Sequence, residues 1–185
     1  MVARVLGIVG WSGSGKTALL IKLIPVLVGR GLKVATLKHA HHAFQVDKPG
    51  KDSYEHRMAG AGEVIVFSDR RWVQMHEIGD EPPVTLAQLL RRLSPCDLVL
   101  IEGFKRDPHP KLEVFRAEVG KPLLYPHDPN ILAVASPIPQ PDADIPVVDL
   151  DDVDAIADLV CARARPLDAV LAMLEAVTVA APSNG

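Results

Sequence analysis

The chain has 185 residues, of which 48% are apolar and 23% charged, and its formal net charge is −3. That length suits one α/β domain with a substantial core, the mild negative charge argues against a nucleic-acid surface, and no apolar run is long enough to span a bilayer. The two cysteines, Cys96 and Cys161, lie far apart without metal-ligand spacing, as buried free thiols in a reducing cytoplasm would.

In chain order, the apolar run Val5-Leu6-Gly7-Ile8-Val9 predicts a first strand and is too short for a signal peptide. It leads directly into Gly10-Trp11-Ser12-Gly13-Ser14-Gly15-Lys16-Thr17, which matches the phosphate-loop pattern G-x-x-x-x-G-K-[ST] at every position. In that strand, loop, helix context the successive backbone N–H groups and the positive end of the helix make an anion-sized concavity. Gly10, Gly13 and Gly15 let the chain approach phosphate closely. Lys16 reaches toward the β- and γ-phosphates, and the Thr17 hydroxyl is a ligand for the Mg²⁺ of a nucleoside triphosphate. The helix runs from about Lys16 to Gly29, and Pro25 within it predicts a kink or a local break because proline has no N–H.

Leu32 to Lys38 alternates as a second strand, parallel to the first. The polar stretch from His39 to Asp52, with a turn at Pro49-Gly50, is a loop at the carboxyl edge of the sheet, where open α/β sheets bind ligands. Ser53 to Ala61 predicts a short helix carrying Glu55, His56 and Arg57. Glu63–Phe67 and Trp72–Ile78 read as strands of a hairpin across residues 68–71, with Trp72, Met75 and Ile78 forming either a docking face or part of the core. Thr85 opens a helix through Leu86, Leu89, Leu90 and Leu93.

Asp97-Leu98-Val99-Leu100-Ile101-Glu102-Gly103 predicts a central strand buried on both faces. It brings Glu102 to the same edge as the phosphate loop, an acid position that contacts Mg²⁺ directly or through water in phosphate-loop proteins. Further strands are expected at 112–116, 131–136 and, on an edge, 146–150. Asp151 and Asp152 open a helix that ends near Arg163 and Arg165. Leu167, Val170, Leu171, Leu174 and Val177 mark a last helix, with a frayed tail from Ala180. The reading is one domain over 1–185, with 166–185 as its C-terminal helix and tail. The fold class is a three-layer P-loop NTPase fold with a mainly parallel sheet and a β-hairpin extension.

Several segments together resemble the MobB-type molybdopterin-guanine dinucleotide biosynthesis adapter proteins. They are the Gly10–Thr17 loop, Thr36-Leu37-Lys38-His39, Asp47-Lys48-Pro49-Gly50-Lys51-Asp52-Ser53 with His56-Arg57 and Ala59-Gly60-Ala61, and Leu100-Ile101-Glu102-Gly103-Phe104-Lys105. The resemblance implies a protein that binds GTP with Mg²⁺, hydrolyses it weakly, forms a homodimer and assists a MobA-type guanylyltransferase acting on molybdopterin. It implies that Gly10, Ser12, Gly13, Ser14, Gly15, Lys16, Thr17 and Ala18 hold the nucleotide, that Thr17 and Glu102 serve Mg²⁺, and that Asp47 is a second acid near the metal or the γ-phosphate. Lys16, Asp47 and Glu102 are then the residues nearest to any chemistry. No Asn-Lys-x-Asp tetrapeptide is present to read guanine, although Ala133 to Pro137 ends a strand where a base-reading loop would lie.

Two rival functions attach to particular residues. His39, His41, His42 and His56 raise a metallochaperone-type GTPase, but their spacing matches no established ligand pattern, and a polar wall facing phosphate fits them better. A small-molecule kinase using ATP needs an arginine-bearing lid, for which Arg70-Arg71 is the candidate. Arg57, placed after the Asp47–Asp52 loop, is the arginine expected to meet the phosphates.

Overall fold

The computed structural model describes residues 3–40 and 44–180. In chain order its elements are β1 (Arg4–Val9), α1 (Lys16–Gly29), β2 (Val34–Lys38), α2 (Asp52–Met58), β3 (Glu63–Ser68), β4 (Arg71–His76) and α3 (Leu86–Arg91). Then follow β5 (Leu98–Glu102), β6 (Lys111–Val114), β7 (Ile131–Ser136), β8 (Val147–Asp149), α4 (Val153–Arg163), β9 (Arg165–Pro166) and α5 (Leu167–Ala180). Two compact units result, one of residues 1–39 with 86–185 and one of residues 40–85.

The first unit holds a seven-stranded sheet in the order β2-β5-β1-β6-β7-β8, with β9 on the side of β1. All pairs along that path are parallel, and only β9 runs antiparallel, pairing Arg165 and Pro166 with Val5 and Arg4. The alternation of the strands divides the core. Leu6, Ile8, Leu98, Leu100, Leu112 and Val114 pack with Leu19, Leu20, Leu23 and Leu27 of α1 and Ile156 and Val160 of α4. Val5, Val99 and Ile101 pack with Leu86 and Leu90 of α3 and Val170 and Leu174 of α5. Helices on both faces are the reason β5 needs apolar residues at successive positions. The three-layer, mainly parallel architecture expected from the sequence is thus present.

α1 continues unbroken from Lys16 to Gly29 through Pro25. α4 begins as expected, with the Asp152 side chain accepting from the Ala155 N–H at 2.9 Å. It ends at Arg163, where the Arg4 guanidinium donates to the carbonyls of Cys161 and Ala164. Arg165, expected within this helix, belongs instead to β9.

The second unit contains α2 and the β3–β4 hairpin, which forms its own two-stranded sheet. Val64 is buried, whereas Ile65, Phe67 and Trp72 are exposed. Its register sets Phe67 opposite Trp72 and Val64 opposite Met75. Trp72 and Ile78 therefore belong to the exposed surface and not to the core. His41, His42 and the tail 181–185 lie outside the described residues.

Candidate nucleotide and metal site

β1 ends at Val9 and α1 begins at Lys16, so the loop joins the middle of the sheet to a helix N-terminus. At Gly10, where φ is 145°, an added Cβ would lie 2.4 Å from the Val114 carbonyl oxygen and 2.7 Å from Ser14 Oγ. The loop is thus pressed against the end of β6 too closely for any side chain. Gly15, at φ 96°, precedes α1, and the helix has neither a side-chain cap nor an acid in its first turn. No side chain caps its first N–H groups, the arrangement that an anion site at a helix N-terminus requires. Ser14 Oγ is buried without a hydrogen-bond partner. A cradle that excludes a Cβ, an uncapped helix start and an unpaired buried hydroxyl fit a phosphate chain.

Lys16 Nζ donates to the carbonyls of Gly10 at 3.0 Å and Trp11 at 2.8 Å. Burial lowers its pKa, as do Lys105 and Lys38, against the attraction of Glu102. An ammonium with surplus positive charge around it favours an incoming polyanion. Thr17 Oγ1 donates to Glu102 Oε1 at 2.6 Å. The parallel register that sets Glu102 beside Ile8 of β1 also sets it beside Lys38 of β2. Lys38 Nζ accordingly lies 3.2 Å from Glu102 Oε1 and donates to Thr17 Oγ1 at 3.3 Å. A hydroxyl and a carboxylate brought together beside a phosphate cradle are hard oxygen donors suited to Mg²⁺.

Asp47 and Arg57 belong to the second unit. They meet each other there, with Arg57 Nε 3.2 Å from Asp47 Oδ2, and Arg57 also pairs with Glu77. The guanidinium expected to face phosphate is thus engaged by two carboxylates. His39 sets its ring 4.9 Å from that of Phe104. Among the described residues no group of three His, Cys, Asp or Glu side chains is arranged to hold a metal.

Further side chains meet at the loop in contacts that the sequence does not announce. The Trp11 indole N–H donates to the Pro122 carbonyl at 2.8 Å, and Lys105 Nζ lies 4.1 Å from its ring centroid. Arg116 Nε lies 3.3 Å from the point a Cβ on Gly15 would occupy. Arg116 follows β6 and has no local motif to announce it; only the pairing of β6 with β1 brings it here. At the carboxyl ends of β7 and β8 is a cavity of about 400 Å³ whose lining includes Ser136, Pro137, Gln140, Pro141, Val148 and Asp149.

Residues 5–137 match the family model of molybdopterin guanine dinucleotide synthesis protein B, MobB. The chain is 46% identical over 158 residues to a molybdopterin-guanine dinucleotide biosynthesis adapter protein of Escherichia coli (strain K12), covering 84% of this chain and 90% of that one. It is 45% identical over 157 residues to the protein of the same description from Haemophilus influenzae, covering 84% and 86%. Its backbone is similar to the crystal structure of a MobB homolog from Bacillus stearothermophilus, with a TM-score of 0.64, 28% identity and coverage of 85% of this chain and 95% of the other. The match over most of the chain, together with a mainly parallel sheet carrying an intact phosphate loop, means that the chain belongs to the MobB family.

Proposed function

We propose that the chain is an adapter in molybdopterin guanine dinucleotide biosynthesis that binds GTP with Mg²⁺ at the Gly10–Thr17 loop. The observation that carries the nucleotide site is the loop itself, pinched at Gly10 and followed by an uncapped helix, with Thr17 and Glu102 joined at 2.6 Å. The N–H groups of Gly13, Ser14, Gly15, Lys16, Thr17 and Ala18 take phosphate oxygens, and Ser12 shapes the turn that presents them. Lys16 exchanges its two loop carbonyls for phosphate. Thr17 and Glu102 hold Mg²⁺, which neutralises charge on the phosphates when bound. The cavity beyond β7 offers a place for the base, with the Asp149 carboxylate able to accept from the ring N–H and amino group of guanine. Asp47 Oδ1 is buried without a hydrogen-bond partner within the second unit.

Hydrolysis is slow in this reading and acts as a switch or a by-product. The working partners are a MobA-type guanylyltransferase, molybdopterin or its guanine dinucleotide, and a second copy of the chain, in the cytoplasm. No helix among the described residues is long and apolar enough to cross a membrane.

The test is equilibrium binding of GTP and ATP, with and without Mg²⁺, to the wild type and to Lys16→Ala. A Mg²⁺-dependent preference for GTP that disappears in Lys16→Ala is the expected result. A preference for ATP with a phosphorylated small-molecule product would place the chain among kinases instead.

A further inference from the structure

We infer that Lys38 is a displaceable internal cation, which occupies the Thr17–Glu102 oxygens until a divalent metal arrives with its nucleotide. This rests on the reading of the loop as a Mg²⁺-nucleotide site.

Three polar atoms form a closed triangle: Thr17 Oγ1 to Glu102 Oε1 at 2.6 Å, Lys38 Nζ to Oε1 at 3.2 Å and Lys38 Nζ to Oγ1 at 3.3 Å. The Thr17 proton points at Glu102, so the ammonium takes a lone pair of Oγ1 that a metal would need. The same ammonium contacts the carboxylate oxygen nearest to that position. One positive charge therefore holds both donors.

Burial shows which partner is fixed and which is free. The Glu102 side chain is 12% exposed, that of Lys38 58%. A largely desolvated carboxylate beside a hydroxyl needs a counter-charge. The Lys38 backbone is fixed by pairing with β5, but its four-carbon stem is flexible and has solvent to swing into. An ordinary surface pair would leave the metal oxygens alone, whereas this one occupies them.

A bare divalent ion must then expel a tethered cation and accept only one carboxylate in return. An ion carried by a triphosphate brings phosphate oxygens of its own, and the released ammonium gains a phosphate to face. Metal and nucleotide enter together, and the empty site stays closed to stray divalent ions.

The experiment measures Mn²⁺ binding to nucleotide-free protein by loss of the free-ion electron spin resonance signal. Wild type, Lys38→Met, Lys38→Arg and the double variant Lys38→Met/Glu102→Gln are compared, with thermal unfolding to verify that each is folded. Lys38→Met is expected to bind Mn²⁺ about tenfold more tightly than wild type. Lys38→Arg should behave as wild type, and the double variant should lose the gain. Equal Mn²⁺ affinity in wild type and Lys38→Met overturns the inference, as does a gain that survives Glu102→Gln. A fluorescent GTP analogue titrated into the wild type with Mg²⁺ tests the underlying reading separately. Absence of binding there would reject the nucleotide site while the Mn²⁺ comparison still decides the role of Lys38.

Discussion

His109 is fully buried, yet only one of its ring nitrogens has a partner. Nδ1 donates to the Asp107 carbonyl at 3.0 Å, while Nε2 is unpaired and abuts Gly7, where an added Cβ would lie 2.4 Å away. Burial, reinforced by the neighbouring Lys111 ammonium, lowers its pKa from 6.5 to about 4. The unfolded chain takes up the proton first, so stability is lost as pH falls from 6.5 toward about 4 and levels off below. The full shift corresponds to about 3 kcal/mol. Urea unfolding across that range should show the slope in wild type and a shallower one in His109→Gln; equal slopes would remove His109 as the cause. The residues around it are equally unusual for a sheet. Lys111, buried on β6, bonds to Asp128 at 2.6 Å, and buried Glu113 accepts the N–H groups of Leu124 and Tyr125 at 2.8 and 2.9 Å. Each buried charge is thus met by a hydrogen bond, as it must be out of water.

At the scale of elements, the β3–β4 hairpin is a two-stranded sheet, which is marginal in water by itself. Phe67 and Trp72 are paired across it and are 75% and 60% exposed. A second copy covering this face is the arrangement expected of the proposed homodimer. Sedimentation analysis should find wild type dimeric and Phe67→Glu/Trp72→Glu monomeric at the same concentration; a dimer that persists would move the interface elsewhere. The ends of β7 and β8 supply a second element-scale expectation. If Asp149 reads guanine, Asp149→Asn should weaken GTP binding by about 10- to 100-fold, as loss of a charged hydrogen-bond acceptor does. ATP affinity should remain unchanged. A parallel loss of both would mean that Asp149 supports the loop through the Asp151 N–H it accepts at 2.9 Å and does not read the base.

For the whole molecule, residues 40–85 are an insertion between β2 and α3 that packs as its own unit. No low-complexity linker or charge block marks its limits, so a linear reading has no signal for that division. Arg57 illustrates the consequence. Its position after the Asp47–Asp52 loop suggests an arginine for phosphate, but in its unit Asp47 and Glu77 already neutralise it. The place of the Gly10–Thr17 loop between β1 and α1, by contrast, was legible, because its motif consists of residues adjacent along the chain. The central strand ending in Glu102 was legible for a similar reason: its apolar run and terminal acid are contiguous. Alternation in Leu112–Arg116 correctly indicated β6, but not that the polar positions Lys111 and Glu113 are buried. Sequence alone indicated where the main strands and helices and the loop motif between β1 and α1 lie, though not β9, since those follow from local torsional and periodic preferences. Tertiary structure decided which charges meet: strand register joined Lys38 to Glu102 and Thr17, and the 117–130 segment enclosed Lys111 and Glu113. Those energies depend on neighbours distant in sequence, which only the folded sheet brings within bonding range.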